Sequence, residues 1–284
     1  MKREWVKKSL LKKIYKKREE WVHKGQFGRL LCVTGNQWNT GSPIFVGMSA
    51  SRAGCDLVFL TGPERAMQVA AHYSPVLITK PLRGEMFCRE HVEEVLRFIS
   101  LVRPKAALIG NGLWREPETK LAIISLVEKI HLPMILDADA IRAISARKEL
   151  LGQKKTIILP HANEFRELTG IEVTADLEER SKVVEEQAKV LGTVILLKGH
   201  VDVISDGKQT MLNKTGSPLM TKGGMGDTLA GICGALVARG IDLFEAACAA
   251  AYINGKAGEL VTKELGESAL PTDLIKYIYK VIKK

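Results

Sequence analysis

The sequence predicts an α/β protein built on a central, mostly parallel sheet with helices on both faces. Three observations carry that expectation. Short apolar runs alternate with helical stretches along most of the chain, at residues 30–33, 56–60, 76–79, 106–109, 134–136, 156–159 and 193–197. Such a rhythm is what successive strand–helix units produce when each strand is buried on both faces. With 284 residues and 46% hydrophobic composition, the chain can bury a large core, and no linker or internal repeat divides it. Finally, the residues suited to chemistry gather in the loops that follow those runs, and parallel sheets bind ligands beyond the carboxyl ends of their strands.

The chain opens on a basic stretch. Residues 1–30 hold 11 Lys and Arg against 3 Asp and Glu, so most of the net charge of +10 is local. Val6, Leu10 and Ile14 recur at four-residue spacing, with Leu11 and Tyr15 beside them. Residues 1–22 are therefore expected to form a basic amphipathic helix packed on a catalytic domain of residues 23–284. A binding module that uses this helix is the non-catalytic alternative, since a basic helix also suits RNA or an anionic membrane. The body of the chain carries no RNA-binding signature or aromatic platform, so neither nucleic acid nor membrane is expected as a partner. No apolar run reaches membrane-spanning length, and the first ten residues lack the apolar core and cleavage site of a signal peptide; a cytoplasmic location is expected. Cys32, Cys55, Cys88, Cys233 and Cys248 are odd in number, scattered and without paired metal-ligand spacing, which predicts buried free thiols.

The first strand, Leu30–Val33, follows a Gly-rich approach and ends in a turn. A helix of small residues is expected from about Pro43 to Arg52, with Pro43 suited to its first position, and a second strand from Asp56 to Leu60. Later strand ends deliver Gly110-Asn-Gly-Leu, Asp137-Ala-Asp139, Pro160-His-Ala-Asn-Glu164 and Lys198-Gly199. Two acids at i and i+2 leaving a strand are expected to point the same way. A β-ribbon, Val201–Ser205 and Gln209–Leu212, leads into residues 213–231. There Gly223, Gly224 and Gly226 precede a long apolar run, Leu229–Val237, that reads as a helix. Glycine backbones can present amides at a helix N-terminus, a favourable seat for phosphate. Asp227 sets a carboxylate within a residue of that seat, and a base beside a phosphate hole suggests phosphoryl transfer to a hydroxyl. The same residues also read more plainly as a glycine turn and a stabilising acid in a first helical turn.

The stretch NKTGSPLMTKGGMGDTLAG, residues 213–231, resembles the block TGNP..M.TGGTGDVLAG of the ADP/ATP-dependent NAD(P)H-hydrate dehydratases of the ribokinase-like superfamily. KGQFG, TGSPIF.G..A.RAG.DLV, IGNGL, ILDADAI, LPHANEFRELTG and ILLKGHVDVIS are similar to further family blocks in the same order, over roughly residues 23–265. The resemblance implies a ribokinase-like fold and repair of hydrated NADH or NADPH. In that chemistry ADP or ATP phosphorylates the ring hydroxyl and phosphate is then eliminated. It implies Asp227 as catalytic base, and Ser42, Gly112 and His161 together with Asp227 as the substrate wall. Lys198, Gly199, His200, Val201, Asp202, Lys222, Gly224, Met225 and Gly226 are implied around the nucleotide phosphates, and Glu164 near Mg²⁺ through water.

Ser42, Asn111, Asp202, Ser217 and Lys222 depart from the family pattern, standing where it has Ala, Pro, Thr, Asn and Thr. Of these, Ser42, Asp202 and Lys222 leave room for a small-alcohol kinase of the hydroxyethylthiazole-kinase type, which would release a stable phosphate ester. Only about 30 residues precede the first strand, too few for a second α/β domain, so an epimerase is expected as a separate polypeptide. Related dehydratases assemble as homo-oligomers, which the small-residue helices from Gly231 onward permit.

Overall fold

The computed structural model describes residues 4–283. Strand β1 (Glu4–Trp5) and helix α1 (Ser9–Ile14) are followed by β2 (Arg29–Val33), α2 (Ser42–Arg52), β3 (Leu57–Pro63), α3 (Glu64–Tyr73) and β4 (Leu77–Leu82). Next come α4 (Glu90–Val102), β5 (Ala106–Ile109), α5 (Pro117–Lys129), β6 (Met134–Leu136), α6 (Asp139–Ile144) and β7 (Thr156–Ile158). The chain continues through α7 (Ala162–Thr169), α8 (Leu177–Leu191), β8 (Val194–Leu197) and the ribbon β9 (Asp202–Ser205) and β10 (Thr210–Asn213). It closes with α9 (Met225–Ala238), α10 (Leu243–Leu265) and α11 (Pro271–Ile282).

All ten strands form one sheet in the order β1-β10-β9-β8-β7-β6-β5-β2-β3-β4. Only β9 runs antiparallel to its neighbours. The expected α/β class is therefore observed. From β2 the chain builds outward through β3 to β4 and then returns to β5 on the other side of β2. The gap between the β2 and β5 loops is a topological switch point, where sheets of this class open a crevice.

Two apolar cores flank the sheet, one beneath α2, α9, α10 and α11 and the other beneath α4 to α8. Helix α9 is buried almost all round, because no charged residue follows Asp227 within it. It also lies unusually close to α2: a Cβ at Gly231 would fall 2.2 Å from the Val46 carbonyl oxygen. The small residues of both helices are what allow that approach.

The amphipathic helix expected over 1–22 is confined to Ser9–Ile14; residues 1–3 lie outside the described residues. The reason is the open edge of β10. Glu4 and Trp5 pair with Met211 and Leu212, and the Val6 amide bonds to the Leu212 carbonyl at 2.9 Å, so this segment is extended. Val6, Leu11 and Ile14 are buried, while Lys7, Lys8, Lys12 and Lys13 face solvent. All five cysteines are free thiols, and four are buried. No helix among the described residues is long and apolar enough to cross a membrane.

Candidate functional site

The site grows from the N-terminus of α9. Gly224 is its N-cap with φ 99°, and a Cβ there would lie 2.6 Å from the Phe45 ring and 3.0 Å from Pro271. An added Cβ at Gly223 would meet nothing within 4 Å. Gly224→Ala is therefore expected to cost about 1–2 kcal/mol from backbone strain alone. Gly223→Ala should be nearly silent, and thermal melting of the two variants side by side checks the difference. The Met225 amide donates to the Lys222 carbonyl at 3.2 Å, and that of Thr228 donates to Gly224 at 3.0 Å. The intervening amides of Gly226 and Asp227 are left without an intrahelical acceptor, at the positive end of the helix.

Asp227, half-buried in this first turn, does not cap the helix. Its carboxylate turns instead toward the switch point. The Asn111 amide donates from Nδ2 to Asp227 Oδ1 at 2.8 Å and to Asp137 Oδ2 at 2.9 Å. Asn111 is itself fixed through its carbonyl, which accepts from Thr34 Oγ1 at 2.6 Å and from the Gly35 amide at 2.9 Å. Ser42 hydrogen-bonds Asp227 from the start of α2, and Gly112 packs so closely that its Cβ would sit 2.8 Å from Ser42 Oγ. Loops after β2 and β5 and the head of α9 thus converge on one carboxylate. Burial pushes that carboxyl up to about 6; Asn111 opposes the rise, Asp137 adds to it, and Ser42 and Lys198 oppose it further.

Lys198 leaves the end of β8 into the same space. Its ammonium lies 2.8 Å from Asp137 Oδ1 and 3.8 Å from Glu164 Oε2, and a Cβ at Gly226 would be 3.9 Å from it. Burial works against the charged form, but Asp137 and Glu164 outweigh it and the ammonium's pKa is raised. Glu164 starts α7 in a capping box: the His161 amide donates to its Oε2 at 3.0 Å, and its own amide donates to His161 Nδ1 at 3.2 Å. Its Oε1 faces Arg142 at 3.2 Å and His161 Nε2 at 3.3 Å.

Ser42, Gly112, Asp227, Gly226 and Lys198 are brought together, and His161 joins them through Glu164. Other expected site residues have prior commitments. The Lys222 ammonium is hydrogen-bonded to the carbonyls of Glu267 and Ala269. The Gly199 amide donates to Asp202 Oδ1 at 3.0 Å, while Asp202 Oδ2 accepts from Asn213 at 2.9 Å, so this acid closes the hairpin. Burial pushes Asp202 up to about 6, against those hydrogen bonds. Met225 sends its side chain into the core, His200 is exposed, and Val201 is half-buried in the turn before β9.

Asp137 and Asp139 do not point the same way. The strand ends at Leu136, and Ala138 turns the chain at φ 49° and ψ −116°, so strand alternation no longer applies. Asp137 enters the cluster, whereas Asp139 accepts the Trp114 amide at 2.8 Å. Asn111 and Arg142 are the members that sequence reasoning left without a role. A signal was present for Asn111, since its amide follows a strand end.

Glu164 fits a directly bound metal poorly, because both of its oxygens already face cations or an N–H group. Among the described residues, no group of three His, Cys, Asp or Glu side chains is placed to hold a metal ion.

Sheet order and the head of α9 belong to an α/β protein of ribokinase-like fold, with uncapped helix amides beside a half-buried carboxylate. The model of the NAD(P)H-hydrate dehydratase family matches residues 30–280, and the chain belongs to that family. It is 40% identical over 263 residues to the bifunctional NAD(P)H-hydrate repair enzyme of Pyrobaculum aerophilum, covering 92% of this chain and 52% of that protein. The chain thus spans about half the length of the bifunctional relatives that it matches. It is also 36% identical to the ADP-dependent (S)-NAD(P)H-hydrate dehydratase of Nitrosopumilus maritimus, covering 100% of this chain and 98% of that one. The Bacillus subtilis ADP/ATP-dependent NAD(P)H-hydrate dehydratase, co-crystallised with ATP and Mg²⁺, superposes with a TM-score of 0.80 at 26% identity, covering the whole of both chains.

Proposed function

We propose that this protein dehydrates NAD(P)H hydrate at the expense of ADP or ATP. The observation that carries the reading is the Asp227 carboxylate, held by Asn111 and Ser42 at the uncapped amides of α9. Asp227 takes the proton from the ring hydroxyl as its oxygen attacks the terminal phosphorus, and the bond from that phosphorus to the leaving nucleotide breaks. The amides of Gly226 and Asp227, with the Lys198 ammonium beside them, stabilise the charge on the transferring group. The ring nitrogen's electron pair then expels phosphate from the adjacent carbon, and loss of a proton from the next carbon restores the dihydronicotinamide. Phosphorylation serves to turn a poor leaving group into a good one.

The names of the archaeal relatives favour ADP as co-substrate. The substrate is a cofactor of the cell interior, which supports a cytoplasmic location. We assign Mg²⁺ to the nucleotide's phosphates rather than to protein ligands.

The test mixes purified protein, Mg²⁺ and each nucleotide with NAD(P)H hydrate and follows dihydronicotinamide absorbance alongside phosphate release. Both should rise together. Loss of hydrate without that absorbance, with a stable phosphate ester accumulating, would make the protein a small-alcohol kinase instead.

A pH profile follows from the same carboxylate. Asp227 must be ionised to accept a proton, so kcat/KM is expected to fall as pH drops through about 6. A profile that stays flat from about pH 5 to 8 would argue against a carboxylate base.

A further inference from the structure

A cavity of about 370 Å³ opens beside the catalytic cluster, within the range of small-ligand pockets. Its walls are continuous with the site. Trp114 lies two residues beyond Gly112 in the loop that carries Asn111, and Asp139 lies two beyond Asp137. Arg142 stands between the two spaces, paired with Glu164 at 3.2 Å on one side and with Glu167 at 3.1 Å and Asp139 at 3.5 Å on the other.

The charges of this cavity are unevenly matched. Arg142 is balanced by three carboxylates, whereas Arg115 and Lys120 make no ion pair among the described residues, although both line the cavity. An exposed aromatic surface leads to them. Trp114 is 42% exposed and Trp38 58% exposed, with ring centroids 5.4 Å apart and planes tilted by 53°. Trp38 belongs to the loop between β2 and α2, so its contact with Trp114 sets one aromatic surface, drawn from two loops, beside the cations of the cavity. Trp114 is held at φ 79°, an unfavourable conformation for a bulky residue, by its amide's hydrogen bond to Asp139.

An aromatic face followed by a guanidinium and an ammonium suits a base with its attached phosphates. We propose that the cavity takes the adenosine-phosphate half of the hydrated dinucleotide, with a substrate phosphate held by Arg115 and Lys120. This rests on the substrate reading above and adds to it where the unreactive half of the molecule is gripped. Two phosphates have the required chemistry: the pyrophosphate, common to both cofactors, and the ribose 2′-phosphate of the NADP series.

The experiment titrates the full chain with NADH and NADPH, which lack only the added water, by energy transfer from tryptophan to the dihydronicotinamide. Wild type is compared with the doubly substituted Arg115→Ser, Lys120→Ser protein, and thermal melting verifies that the variant is folded. Loss of the charge-assisted contacts should raise Kd about 10- to 100-fold. A rise for both dinucleotides assigns the pyrophosphate, and a rise for NADPH alone assigns the 2′-phosphate. Equal affinities in wild type and variant would overturn the inference. So would an unchanged KM for hydrate in the variant while wild type restores dihydronicotinamide, which leaves the substrate reading intact. A wild type that neither binds the dinucleotides nor repairs hydrate would overturn both.

Discussion

Asp227→Asn is expected to fold, to bind nucleotide and to lose about 10²- to 10⁴-fold in turnover, the usual cost of removing a general base. The substitution separates two roles for this residue. Helix α9 is capped by Gly224 without any side-chain cap bond, so an amide at position 227 costs no capping interaction. Its oxygen can still accept from Asn111, which keeps the loop after β5 in place. What the amide cannot do is take a proton. Nucleotide affinity should hold or improve, since a carboxylate beside phosphate is repulsive until protonated. Turnover close to wild type, measured at saturating substrate, would remove Asp227 as the base and most of the proposed chemistry with it.

Lys198→Met is expected to damage stability as well as activity. The ammonium is the partner of Asp137 at 2.8 Å and of Glu164 at 3.8 Å, and both carboxylates are almost fully buried. Methionine preserves much of the stem's packing but leaves Asp137, among the described residues, with only the Asn111 amide. Removing one member of a buried ion pair typically costs about 3–5 kcal/mol. Glu164 keeps Arg142, so the loss should fall mainly on Asp137. Denaturant unfolding measures the stability, and the nucleotide concentration needed for half-maximal turnover should rise in the folded variant. A variant as stable as wild type, with the same nucleotide requirement, would return Lys198 to an ordinary surface role.

The sheet was legible in the sequence because buried parallel strands have to be short apolar runs. Ala106–Ile109 and Met134–Leu136 are observed with the ends expected, and the other central strands differ by a few residues. The helix after Gly224 starts earlier than its apolar run implied, at Met225 rather than Leu229. Its first turn faces the site, so that turn carries no hydrophobic periodicity to mark it. The basic N-terminal segment misled because its four-residue spacing also fits a chain that buries Val6 from a strand and Leu11 and Ile14 from a short helix.

By itself the sequence determined which loops gather glycines, acids and amides at strand ends, since these are local features. Only the tertiary structure decided which of those groups meet. Asn111 and Asp227 are separated by 116 positions, and Asp137 and Lys198 by 61, yet each pair is within hydrogen-bonding distance across the switch point. The structure also revealed commitments that no local pattern contains: Lys222 engaged by main-chain carbonyls, Asp202 closing its own hairpin, and Glu164 facing Arg142. A charge's role depends on what lies within a few ångströms of it, and strand order, rather than sequence spacing, sets those neighbours.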